Sequence, residues 1–140
     1  MKLLTALIAM LVVGGSACAS DNEPIVVTAD DNGIELVVSS GDRIDVRLES
    51  NPSTGYSWRV NSQAVDAFAR IAPVEYEAPP DDGRVGAAGT ELFRVELLNE
   101  GAGVLRFEYI RPFDDPPVAA RVVEYLIRVG DGPWSPEVLE

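Results

Sequence analysis

Four stretches of this chain alternate apolar and polar residues with a period of two, and that period rules out helix for much of its length. In 43–49, Ile44, Val46 and Leu48 fall on one side and Asp45, Arg47 and Glu49 on the other. Phe93, Val95 and Leu97 alternate with Arg94 and Glu96, Leu105, Phe107 and Tyr109 with Arg106 and Glu108, and Val123, Tyr125, Ile127 and Val129 complete the set. Successive side chains of a strand point to opposite faces, so each run reads as a strand with one buried face. Shorter β-rich runs at 25–28, 34–39, 56–60 and 74–76 join them, and Asn32-Gly33 between the first two reads as a hairpin turn. Only 62–72 is ambiguous, with room for a short helical turn around Val65 and Phe68.

Seven or eight antiparallel strands separated by turn signals, with little helix, point to an all-β fold, a β-sandwich. If the strand order is immunoglobulin-like, the connections near 50–55, 77–89 and 110–119 emerge at one end. These are also the three most distinctive stretches outside the strands.

The ends of the chain are of another kind. Residues 1–19 read as a secretory signal, with Lys2 as its charged start and an apolar run from Leu3 to Val13 that is too short to span a bilayer. Two cleavage readings stand side by side. Ala17-Cys18-Ala19 suits ordinary signal peptidase, and Ser16-Ala17-Cys18 resembles the end of a bacterial lipobox, although Gly15 stands where that motif usually has Leu. We favour lipidation of Cys18, the chain's single cysteine, which leaves residues 20–24 as a short tether and allows membrane attachment. The protein is then a periplasmic or cell-envelope lipoprotein; with the other cleavage it is secreted. Residues 25–129 form the domain, and 130–140 a tail to which we assign no function.

Removing Lys2 from the 11 cations leaves 10 arginines against 23 carboxylates, a net charge of −13. Nucleic acid is a poor partner for such a surface, since binding it releases counterions only through clustered cations. The chain has no histidine, and with its one cysteine at the signal it lacks Ser-His-Asp and Cys-His machinery and the common zinc ligands. The acid pairs Asp30-Asp31, Asp81-Asp82 and Asp114-Asp115 lie in turns, where adjacent carboxylates are solvated. We therefore expect no enzyme, no cofactor, no metal and no catalytic residue, and a monomer.

Attention falls on the three connections. The first is Asn51-Pro52-Ser53-Thr54-Gly55-Tyr56-Ser57-Trp58, in which Asn51 can bond its own backbone two residues on, Pro52 fixes φ and Gly55 supplies a positive φ. Alone it is simply a well-made turn. The second, from Glu77 to Gly89, starts with Pro79-Pro80 and ends in the small residues Gly86-Ala87-Ala88-Gly89. The third, Arg111-Pro112-Phe113, sets a cation and an aromatic on a proline-stiffened turn, the residue types of binding hot spots.

In order and spacing these three stretches resemble the motifs of the chagasin family of cysteine protease inhibitors: Asn-Pro-Thr-Thr-Gly followed by Tyr or Phe, Gly-x-Gly-Gly, and Arg-Pro followed by Trp or Phe. The resemblance covers about 25–129. It implies an immunoglobulin-like sandwich whose three loops form a wedge that blocks the cleft of papain-like enzymes reversibly. It implies as protease-binding residues Asn51, Pro52, Ser53, Thr54, Gly55, Tyr56, Gly86, Ala87, Ala88, Gly89, Arg111, Pro112 and Phe113. Thr54 would approach the catalytic centre, the 86–89 backbone would lie along the cleft, and Arg111 with Phe113 would pack on the far wall. Three positions depart from the pattern. Ser53 replaces a Thr and keeps the hydroxyl, Phe113 stands where Trp is frequent, and Ala88 adds a Cβ where a glycine could take a positive φ. A different class fits the same residues: an immunoglobulin-like exported module that binds a partner through this edge and inhibits nothing.

Overall fold

The computed structural model describes residues 23–130. The expected signal with Cys18, most of the expected tether and the tail beyond Gly130 lie outside the described residues. Nine strands make up the domain: β1 (Ile25–Thr28), β2 (Glu35–Val38), β3 (Arg43–Ser50), β4 (Ser57–Asn61), β5 (Ala69–Ile71), β6 (Glu75–Glu77), β7 (Gly89–Leu97), β8 (Gly101–Ile110) and β9 (Arg121–Val129). One sheet has the order β1-β3-β7-β5, with β6 pairing a second part of β7, and the other has the order β2-β9-β8-β4.

The alternation in the sequence is the reason these two sheets face each other. Ile44, Val46 and Leu48 of β3, Val95 and Leu97 of β7, Leu105 and Phe107 of β8, and Tyr125, Ile127 and Val129 of β9 all lie in one buried layer. Phe93 and Phe107 meet edge-on with ring centroids 4.9 Å apart, joining the two sheets at the centre of the core. The polar residues of the same strands cover the outer faces as ion pairs such as Arg59–Glu108 at 2.6 Å and Arg94–Glu75 at 3.0 Å. The hydrogen bond from Arg59, joined by one from Arg106, holds the Glu108 carboxyl below the usual glutamate range.

The hairpin expected at Asn32-Gly33 does not form. β1 pairs in parallel with β3, and β2 in parallel with β9, so the chain changes sheets between them. Thr28 and Asp31 cap a single 3-10 turn at Ala29–Asp31, the Asp31 carboxylate accepting the Thr28 N–H at 2.8 Å. Asn32 Oδ1 then accepts the N–H of Glu124 at 2.8 Å, and the Gly33 N–H donates to the Glu124 carbonyl at 2.7 Å. The turn residues thus engage β9 instead of folding β2 back on β1. Two parallel pairings at the sheet edges, and nine strands rather than seven or eight, are the departures from the expected pattern. Residues 63–68 do form the helical turn, with Val65 and Phe68 closing the bottom of the core.

Registers fix which loops meet. Ser50 lies opposite Gly89 in the β3/β7 pair, and Ser57 lies opposite Ile110 in the β4/β8 pair. The connections 51–56, 78–88 and 111–120 therefore leave one end together, as expected. Phe107 sits where both sheets touch and is fully buried. Phe107→Ala should lower unfolding free energy by about 3–5 kcal/mol, the usual cost of emptying such a site, as measured by urea denaturation.

Candidate functional site: the three-loop edge

Asn51 organises the central loop by using nearly every polar atom it has. Its Oδ1 accepts the Ser53 N–H at 3.3 Å and the Ser53 hydroxyl at 2.5 Å, capping a 3-10 turn over Pro52–Thr54 with Pro52 at the position that needs no N–H. Its carbonyl accepts the Thr54 N–H at 3.0 Å and the Thr54 hydroxyl at 2.7 Å. Gly55 ends the turn at φ 80°, a left-handed conformation that costs glycine little. Pro52, Ser53 and Thr54 are exposed at the tip.

The same asparagine reaches the second loop. Asn51 Nδ2 donates to the Gly86 carbonyl at 2.9 Å. Gly86 has φ 79°, and further back Asp82 accepts the Arg84 N–H at 3.1 Å and pairs with the Arg84 guanidinium at 3.1 Å. Between these two fixed points Val85 is fully exposed at 103 %. Ala88 has no positive φ; among the described residues only glycines do, so the departure at 88 puts no strain on this loop.

The third loop packs on the first from the other side. Arg111 is partly buried, its guanidinium 4.6 Å from the centre of the Tyr56 ring and its Nε donating to the Thr54 carbonyl at 3.3 Å. The Phe113 ring lies against Gly55, yet 73 % of the residue remains exposed. The three loops singled out in the sequence thus meet at one edge, with Asn51, Thr54, Gly55 and Tyr56 as the meeting points.

Three residues beneath this edge were given no role of their own in the sequence reading. Tyr109, partly buried, stacks on Tyr56 at 5.2 Å and lies 4.8 Å from Trp58, while its hydroxyl accepts the Asn51 N–H at 3.0 Å. Trp58 donates its indole N–H to the Glu49 carbonyl at 2.9 Å and its backbone N–H to Glu91 Oε2 at 3.1 Å. Period two marks Tyr109 and Trp58 as inward. It also puts Glu91 in phase with Phe93, Val95 and Leu97, and a carboxylate at an inward position was the available signal.

Chemically this edge is a surface for contact. The central tip is uncharged, Pro52, Val85, Phe113 and Val118 expose apolar area, and Asp81-Asp82 and Asp114-Asp115 flank it. The resolved pKa shifts lie elsewhere: Arg106 and Glu108 pair on an outer face, and Tyr125 is pushed well above its usual range by burial and by the charge of Asp31. No group of acidic residues, His or Cys among the described residues is arranged to hold a metal.

Gly55 tests how tightly the loops are set. A Cβ there would sit 2.9 Å from Phe113 Cζ at a φ of +80°. Gly55→Ala should cost about 1 kcal/mol or more from the backbone alone and displace the Phe113 ring, read by chemical denaturation and by the aromatic NMR shifts of Phe113.

The model of the family described as "Chagasin family peptidase inhibitor I42" matches residues 37–128. Among curated proteins, chagasin from Trypanosoma cruzi is 34% identical over 92 residues, covering 64% of this chain and 84% of chagasin. Among solved structures, the cysteine protease inhibitor EhICP2 from Entamoeba histolytica superposes with a TM-score of 0.69 at 23% identity, covering 76% of this chain and 95% of that one. PbICP-C, solved in complex with falcipain-2, superposes at 0.55 and 16% identity over 78% of this chain and 92% of that one. The two structural likenesses bear on the fold alone. The family match and the identity to chagasin decide the rest: the chain belongs to the chagasin family of peptidase inhibitors.

Proposed function

We propose that this protein is a reversible, non-covalent inhibitor of papain-like cysteine proteases that inserts the three-loop edge into the protease's active-site cleft. The observation that carries the reading is the mutual locking of three loops at one end: Asn51 to Gly86, Arg111 to Thr54 and Tyr56, Phe113 against Gly55. An inhibitor of this kind needs no nucleophile. It needs a convex edge already in its bound shape, because every side chain or loop ordered on binding costs affinity. In this reading the exposed Thr54 approaches the catalytic centre, the backbone of 86–89 runs along the cleft, and Arg111 with Phe113 packs on the opposite wall. EhICP2 is described as a cysteine protease inhibitor, and PbICP-C was solved with falcipain-2 bound; both descriptions agree with it.

The purified protein titrated against papain should abolish residual activity at micromolar concentration, and absence of inhibition at that level would overturn the proposal. Thr54→Arg, which puts a long cation on the uncharged tip, should weaken inhibition by at least about tenfold, the equivalent of ~1.4 kcal/mol. Its thermal melt should stay within a few degrees of wild type, since Thr54 is exposed. An equally potent Thr54→Arg variant would show that the tip does not enter the cleft.

The proposal extends to where the inhibitor acts. We place it outside the cytoplasm, exported by residues 1–19 and anchored through lipidated Cys18, on the strength of the apolar run and the position of the single cysteine. Mass spectrometry of the mature N-terminus should find a lipidated Cys18 as the first residue; an unmodified chain beginning at Ser20 would instead make it a free periplasmic or secreted protein.

A further inference from the structure

Among the described residues two polar side chains are buried, Ser50 at 1 % and Glu91 at 8 % exposure, and both lie just beneath the loop edge. Ser50 is the last residue of β3 before the central loop. Glu91 follows closely on Gly89, where the chain leaves the second loop. A buried carboxylate is an expensive choice in a sandwich core, and an apolar residue of the same shape would usually serve stability as well or better. Its presence at an inward position therefore calls for a reason other than packing.

The hydrogen bonds supply one. Glu91 belongs to β7 and Trp58 to β4, so the 3.1 Å bond from the Trp58 N–H to Glu91 Oε2 crosses from one sheet to the other. β4 is the last strand of its sheet, and this N–H faces the opposite sheet, where a side chain is what takes it. The indole of the same tryptophan donates to the Glu49 carbonyl of β3 at 2.9 Å. Trp58 is thus bonded to the strand that enters the central loop and to the strand that leaves the second loop, while itself lying in the strand that leaves the central loop, one residue after its start at Ser57.

We infer that Glu91 is a positioning residue for inhibition: by accepting the Trp58 N–H it sets the central loop against the second loop, and so fixes how Thr54 and the 86–89 backbone are presented together. The inference rests on the inhibitor reading above. Glu91 itself lies under the edge and touches no protease. The Asn51–Gly86 bond at the surface spans the same two loops, so Glu91 and Asn51 hold them at two depths, one in the core and one at the rim.

Two substitutions separate positioning from bulk stability. Glu91→Gln keeps an acceptor oxygen, and should inhibit papain within about threefold of wild type. Glu91→Leu keeps the size and removes the acceptor; leaving one buried N–H unpaired should weaken inhibition by about tenfold or more, through faster dissociation. The unpaired Trp58 N–H should also lower the leucine variant's melting temperature below the glutamine variant's, so inhibition is compared at a temperature where both variants are fully folded. Amide hydrogen exchange followed by NMR should accelerate at Trp58 and Thr54 in the leucine variant and not in the glutamine variant. Should Glu91→Leu fail to fold, Glu91→Asp, which draws the carboxylate back by one methylene, takes its place with the same expectations.

A folded Glu91→Leu that inhibits as well as wild type overturns the inference, as does weakening in both variants alike. If wild-type protein does not inhibit papain, the inhibitor reading falls instead. The exchange rates at Trp58 and Thr54 then judge the positioning by themselves, and unchanged rates in the leucine variant overturn it.

Discussion

The structure depends on one aromatic contact, that of Trp58 with Tyr109, whose rings lie 4.8 Å apart where β4 meets β8. From this pair the bonds run outward in every direction that the loop edge needs. Trp58 reaches Glu49 and Glu91 in the facing sheet. Tyr109 takes the Asn51 N–H and stacks under Tyr56, and Tyr56 in turn carries Arg111. The rings bury apolar area like any core residue, and their polar ends satisfy backbone groups that a loop junction would otherwise leave unpaired. A sandwich end that is usually a place of fraying is here a continuation of the core.

Strand positions and inward faces were legible in the sequence because period two is a property of the local backbone. Ile44, Val46, Leu48, Phe93, Leu105, Phe107 and Tyr125 are buried as their phase requires. The shared end of the three loops was legible too, since it follows from strand order. The course of 29–34 was not. Asn32-Gly33 is a good hairpin signal, but whether it closes a hairpin is settled by Glu124, far along the chain, which takes both residues for β9. Sequence distance hides such competition. Ala88 is a related case: the motif suggests a glycine conformation there, while the positive φ falls on Gly83 and Gly86 instead.

The roles of Tyr109 and Glu91 were half legible. Phase places both inward, and inward normally means packing. What phase does not carry is the direction of a hydroxyl or a carboxylate, which depends on the backbone donors the opposite sheet presents. Motif residues proved easier to read than the residues beneath them, because a turn's chemistry is contained in its own few residues. Asn51 shows this most plainly: the bond to its own backbone two residues on, expected from sequence, forms as the Ser53 N–H to Oδ1 contact.

Charge is distributed in keeping with that division. Residues 20–140 carry a net charge of −13; their ten arginines are too few to neutralise the surface, and most are committed to pairs on the outer faces of the sheets. Two at the edge are used structurally, Arg84 to staple its loop to Asp82 and Arg111 to lie over Tyr56. The tip itself, Pro52 to Gly55, carries no charge. A neutral tip suits insertion into a narrow cleft, where a buried unpaired charge would oppose binding by its desolvation cost. The polar atoms it must carry, the hydroxyls of Ser53 and Thr54, are already bonded to Asn51. Ser53 therefore does locally what the family's threonine can do, and the substitution there leaves the preorganisation of the loop intact.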